Sequence, residues 1–184
     1  MFVKSIARRP LQLALLASFA AAAIAPSHAA NTITATSSAK VFVPISISSA
    51  GSLAFGNIAA GTAVGTVVVT TAGTASKTGG VTLPAGGSPS AATFTITGEK
   101  GAGYTIDTTA TTDLIKGTDT MPLALITDFT GTGGATTAAS NVAIGTIDAT
   151  SGDQVLHVGG ILSVAASQVP GTYAGTVSVA VNYQ

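Results

Sequence analysis

The stretch Gly171-Thr-Tyr-Ala-Gly-Thr-Val-Ser-Val-Ala-Val-Asn-Tyr-Gln184 decides the fold, because Tyr173, Val177, Val179, Val181 and Tyr183 share one parity. Side chains alternate between the two faces of an extended chain, so this pattern predicts a β-strand with a single buried face. Val169-Pro-Gly171 precedes it as a turn, since proline fixes its own φ and glycine accepts almost any. A strand in this position must find neighbours on both edges or leave one edge open to another molecule.

Working outward from that strand, the rest of the chain reads as more of the same. Gln154–Val164 alternates with Leu156, Val158, Leu162 and Val164 on one face, and Gly159-Gly160 in its middle marks a bulge or a close backbone approach. Ala92–Thr97 puts Phe94 and Ile96 inward and threonines outward, and Gly98–Gly103 reads as a hairpin connection into Tyr104–Asp107. Val64–Thr70 is apolar on both parities, as expected of a central strand. Thr71–Gly80 reads as a loop before Val81–Leu83, and Thr108–Thr120 as a loop pinned by Leu114-Ile115. Met121–Phe129 and Asn141–Ile147 are further strands, separated by a Gly/Thr/Ala loop over Gly131–Ser140. Leu53-Ala-Phe-Gly56 is a short apolar anchor.

The earliest of these alternating runs is Asn31–Ser48, with Ile33, Ala35, Ala39, Val41, Val43, Ile45 and Ile47 on one parity. It is too long for one ordinary strand of about 5–6 residues. It divides near Ser37-Ser38 into an N-terminal arm ending at Ala39 and a first domain strand over 40–48, with Pro44 marking an edge or bulge. About eight to ten short strands with no amphipathic helix among them predict an all-β, antiparallel β-sandwich.

The first residues read differently. Lys4, Arg8 and Arg9 precede an apolar run from Leu11 to Ala25, and Ser27-His-Ala29 resembles a cleavage signal. The run is shorter than the ~20 apolar residues a membrane span needs. Residues 1–29 are therefore expected to be a secretory signal, 30–39 the arm and 40–184 the sandwich domain, exported through the periplasm to the surface. Beyond the signal, four lysines face seven carboxylates, a net charge of −3, and no arginine remains. Scattered lysines on an acidic chain exclude a phosphate-tracking surface, so nucleic acid is not an expected partner. The sequence contains no cysteine, so sheet packing must stabilise it without disulfides.

Several pieces together carry a family resemblance. Pro44-Ile-Ser-Ile47, Leu53–Gly56, Gly79-Gly-Val-Thr-Leu83, Ala92–Gly98, Val158-Gly-Gly-Ile-Leu162 and the last strand, in this order, resemble the domain-of-unknown-function family 4402. Gly171 at fourteenth from the end and Tyr183 as penultimate residue resemble the C-terminal motif of chaperone-usher pilin subunits and of the spore coat protein U branch. The pilin resemblance implies an immunoglobulin-like sandwich lacking its last strand, with an acceptor groove walled by Gly171, Tyr173, Val177, Val179, Val181 and Tyr183. It implies that a periplasmic chaperone fills the groove first, at an outer-membrane usher, and that the arm of another subunit then replaces it. On this sequence the donor residues are Ile33, Ala35, Ala39 and Val41, which meet such a groove by β-strand addition. A fibre subunit built by strand exchange between copies or related subunits is the leading expectation. The alternative is a self-complete secreted or surface-attached sandwich acting as coat, matrix or carbohydrate binder.

Catalytic constellations are sparse. His157 is the one histidine beyond the signal and has no cysteine or second histidine in sequence reach, so a structural role is the better reading. Asp107, Asp113, Asp119 and Asp128 lack the dense alternate spacing of a calcium loop and read as solvated loop charges. Gly131-Thr-Gly-Gly134 lacks the Gly-Lys-Ser/Thr continuation of a phosphate loop. No enzyme, metal or cofactor is expected.

Overall fold

The computed structural model describes residues 31–109, 111–130 and 143–184. The signal segment and the Gly131–Ser140 loop read from the sequence lie outside the described residues. The chain divides into two compact units, Met1–Ala39 and Lys40–Gln184. In the first, residues 31–39 carry no regular secondary structure and are exposed.

The second unit is an antiparallel β-sandwich. Its strands are β1 (Ser46–Gly51), β2 (Ala59–Val69), β3 (Ala75–Thr82), β4 (Ala92–Thr97), β5 (Gly103–Asp107), β6 (Leu114–Lys116), β7 (Asp119–Met121), β8 (Leu123–Thr130), β9 (Ile144–Thr146), β10 (Asp153–Val164) and β11 (Ala180–Tyr183). One sheet runs β1-β4-β10-β2-β3, with β8 also on β10; the second runs β11-β5-β9, and β6-β7 form a hairpin.

The long strand β10 organises the larger sheet. Along one edge it pairs with β8, from Val155↔Thr130 to Leu162↔Leu123. Along the other it pairs first with β4, up to Val158↔Ala92, and then with β2, from Gly160↔Val69. The changeover falls on Gly159. A Cβ there would stand 2.2 Å from the Val69 carbonyl oxygen, so only glycine lets the two partners abut. The close approach read from Gly159-Gly160 is thus located. Gly160 opens the inner face, where a Cβ would press on Leu123, Leu53 and Phe55.

Inward residues of β10 feed two core clusters. Leu162 and Val164 join Val67, Val69, Val81, Phe55 and Met121. Leu156 and Val158 join Ala92, Ile96, Tyr104, Ile106 and Ile147. Each fully buried aliphatic side chain contributes about 1.5–3 kcal/mol of transfer free energy, so these two clusters carry much of the gain.

Several sequence readings are corrected. The loop read over Thr71–Gly80 is only a turn closed by Gly73 N–H to the Thr70 carbonyl, and β3 begins at Ala75. Ser, Lys, Thr and Gly suffice there because β3 is an edge strand whose pairing with β2, not its own side chains, holds it. Gly98–Gly103 is not a hairpin turn: β4 pairs with β1 and β10, whereas β5 pairs with β9 and β11, so this link crosses between sheets. The first domain strand starts at Ser46 rather than 40 and leaves Pro44 outside the ladder. Leu114-Ile115 belong to a β6–β7 hairpin turning at Gly117, and Pro122 interrupts the strand read over Met121–Phe129.

The C-terminal strand is also shorter than its alternation predicts. Only Ala180–Tyr183 pair in a regular ladder, from Ala180↔Asp107 to Tyr183↔Tyr104. Residues 173–179 keep the extended parity, but Thr111 and Thr112 meet them with hydroxyl groups in place of a continuous backbone ladder.

Candidate functional site

The even-numbered residues of the C-terminal segment bond on one side. Ala174 exchanges both main-chain bonds with Ile115, at 2.8 and 3.1 Å. Thr112 N–H donates to the Thr176 carbonyl at 2.9 Å, and Thr176 N–H donates to Thr112 Oγ1 at 2.8 Å. Ser178 N–H donates to Thr111 Oγ1 at 3.1 Å. Successive residues of an extended chain aim their polar groups to opposite edges, so the odd residues face the other way. Among the described residues, no hydrogen bond reaches the backbone of Tyr173, Gly175, Val177 or Val179. This is an open strand edge of the kind proteins usually cover.

The side chains on that parity turn inward. Val177, Val179, Val181 and Tyr183 pack on the second core cluster together with Ile45 and Ile47 from the start of β1. Tyr173 packs on the first cluster. All six residues expected to wall a groove therefore lie along one line, although Gly171 is exposed and serves the turn with φ of 146°. The alternation placed five apolar side chains correctly on the inner face.

The two ends of this line differ. At the Tyr173 end a cleft of about 950 Å³ opens between Phe55–Ala60 and Val169–Tyr173, with Leu114, Met121, Leu162 and Val164 lining its floor. No Asp, Glu, Lys or Arg lines it. Part of the first core cluster is thus reachable from outside. The Tyr173 hydroxyl fixes the rim by donating to the Val169 carbonyl at 2.8 Å and accepting from Gln168 Nε2 at 2.8 Å.

At the Tyr183 end the line is closed. Tyr183 Oη accepts from Glu99 N–H at 2.6 Å and donates to the Val43 carbonyl at 2.6 Å. Phe42 meets the Tyr183 ring edge-on with centroids 5.5 Å apart. Glu99 receives Val43 N–H at 3.3 Å and pairs with Lys40 at 2.8 Å, while Lys40 Nζ lies 4.7 Å from the Phe42 ring centre. The Lys40 bond first, and the Val43 amide second, hold the Glu99 carboxyl below its ordinary range. Gly98 makes room, since a Cβ there would press on the Tyr183 hydroxyl and Ile147. Lys40, Phe42, Val43 and Glu99 form a latch that sequence reasoning missed. Its partners lie 56 to 140 residues apart, and no local pattern joins them.

Of the expected donor residues, Ile33 is 97 % exposed and Val41 91 %, and Ala35 and Ala39 are exposed as well. Val41 sits inside the latched segment, so it belongs to the root of the arm. His157 is half-buried on the outward face of β10, with Asp128 and Thr93 as its register partners on either side. Asp128 is buried in β8 and accepts from Phe129 N–H, which corrects its reading as a solvated loop charge. Asp107 bonds Thr109 N–H and Asp113 bonds Leu123 N–H, as turn and strand-end acceptors. Among the described residues, no group of three or more His, Cys, Asp or Glu is placed to hold a metal ion. No helix of the described residues is long and apolar enough to cross a membrane.

Fold and edge together define the class: an all-β antiparallel sandwich with one strand edge unpaired above an uncharged cleft. The chain belongs to the family described as Domain of unknown function (DUF4402), which matches residues 45–183. Nothing among curated proteins or solved structures matches it.

Proposed function

We propose that the mature chain is a non-enzymatic structural subunit, exported to the cell surface, whose sandwich is completed by an added β-strand and which assembles through that completion into a fibre. The observation that carries this reading is the unpaired backbone of Tyr173, Gly175, Val177 and Val179 beside the cleft. Strand addition needs those two things together: main-chain groups aimed outward for affinity, and apolar recesses for alternate side chains. Copies of this chain or related subunits are the partners. A periplasmic chaperone would shield the same edge in transit to an outer-membrane usher.

The test uses Val177→Pro. Proline removes an N–H that has no partner in the monomer, so the isolated fold loses only the packing of a half-buried valine, about 1 kcal/mol. An added strand, by contrast, loses a ladder bond and meets the ring. The intact mature chain should give heat-sensitive ladders in detergent gels and filaments by electron microscopy, and the variant should give soluble monomers. Wild-type assembly by the variant, or an intact chain that stays monomeric at every concentration, contradicts the proposal. The second result would favour a self-complete coat, matrix or carbohydrate-binding protein.

A further inference from the structure

We infer that the strand filling this cleft is residues 31–39 of a second copy, lying parallel to the C-terminal segment with Ile33 in the cleft beside Tyr173. The inference rests on the strand-completion reading above and adds the occupant, its direction and its register. Three observations carry it.

The first is reach. The latch holds Lys40 to Glu99, which bonds Tyr183, so the root of the arm is fixed at the closed end. From the level of Tyr183 to that of Tyr173 is ten residues of extended chain, about 33 Å. Ile33 lies seven residues from Lys40 and reaches at most about 25 Å, before any turn back is counted. A chain with its latch shut cannot seat its own Ile33 in its own cleft. A second copy has no such tether.

The second is shape. The recess is widest beside Tyr173 and closes toward Tyr183, where Ile45, Ile47, Val177 and Val179 already pack on one cluster. The arm has the same taper: one large side chain, Ile33, then Ala35, Ser37 and Ala39 on the same parity. Running 33→39 alongside 173→179 puts Ile33 at the wide end, Ala35 by Gly175, and Ser37 and Ala39 where little room is left. The reverse direction would press Ile33 into the closed end.

The third is chemistry. Residues 31–39 carry no charge, and neither does the cleft lining. Nine residues at ~3.3 Å extend about 30 Å, enough to run past the open edge from Tyr173 to Val179.

The absence of cysteine makes crosslinking a clean test. Full mature chains carrying Ile33→Cys are mixed under mild oxidation with chains carrying Leu114→Cys in the cleft floor, or with chains carrying Val181→Cys at the closed end. Thr172→Cys on the exposed rim serves as a second cleft probe where Leu114→Cys lowers the yield of folded protein. The expected result is a disulfide-linked pair of Ile33→Cys with Leu114→Cys or Thr172→Cys, at least ten times more abundant than with Val181→Cys. A chain carrying both Ile33→Cys and Leu114→Cys should keep free thiols at high dilution. Preferential crosslinking to Val181→Cys overturns the direction and register while strand completion stands. An intramolecular disulfide in the dilute double variant overturns the second copy as donor. Assembly without any crosslink to Ile33→Cys overturns the arm as occupant, and no assembly at all overturns strand completion with it.

Discussion

Two tyrosine-to-phenylalanine substitutions in this fold should have opposite effects. Tyr183 Oη is bonded twice, to Glu99 N–H and the Val43 carbonyl, each at 2.6 Å. Tyr104 is fully buried, and its hydroxyl has no partner among the described residues. Burial accordingly holds the Tyr104 phenol above its ordinary range. Removing the Tyr183 hydroxyl strands a half-buried amide and an exposed carbonyl. A lost hydrogen bond costs about 0.5–1.5 kcal/mol, and the exposed carbonyl recovers water, so Tyr183→Phe should destabilise by about 1–2 kcal/mol. Removing the Tyr104 hydroxyl takes away an uncompensated desolvation, so Tyr104→Phe should be neutral or stabilising by up to about 1 kcal/mol. Phe keeps the ring contacts of both residues, with Phe42 and with Phe129. Urea unfolding of dilute monomer, with equal m-values across variants, reads both. For a domain of this size the melting temperature of Tyr183→Phe should fall by about 3–6 °C. A Tyr104→Phe loss equal to that of Tyr183→Phe would refute the assignment of bonded and unbonded hydroxyls.

Gly159→Ala should destabilise by about 3 kcal/mol or more, seen as a lowered urea midpoint, because its Cβ would meet the backbone of Val69 and Thr70 rather than a side chain that can move. Leu162→Ala, fully buried, should cost about 2–5 kcal/mol, whereas its neighbour Ile161, 37 % exposed, should cost about 1 kcal/mol or less on the same change. Glu99 has a depressed pKa in the folded state, so its contribution is present above the ordinary carboxylate range and is lost as pH falls through the lower folded value. Stability followed from pH 6 down to pH 3 should therefore decline, and Glu99→Gln should flatten part of that decline. Asp107 and Asp148, depressed by backbone amides of Thr109 and Ser151 respectively, would still contribute to it.

The parts of the fold that were legible are those with period-two patterning and a dry face. Leu156, Val158, Leu162 and Val164 announced β10, and Phe94 and Ile96 announced β4, because burying one side of a strand forces alternation. β3 was illegible because an edge strand paired along β2 needs no apolar face of its own. The crossing after Gly98 read as a hairpin because Glu99-Lys-Gly101 has turn chemistry, and turn chemistry does not say which sheet the next strand joins. The inner face of the candidate groove was legible from Tyr173 to Tyr183. Its openness was not, since an unpaired backbone leaves no mark on side-chain identity, and the latch joins residues far apart in the sequence.

Amide hydrogen exchange at Gly175, Val177 and Val179 tests the central claim most directly, because those N–H groups face the open edge. In dilute monomer they should exchange at close to solvent rates while the Leu156 and Val158 amides of β10 are protected. On assembly the same three should slow by at least a hundredfold. Protection of Val177 and Val179 in the dilute monomer, or unchanged fast exchange in the assembled state, would contradict it.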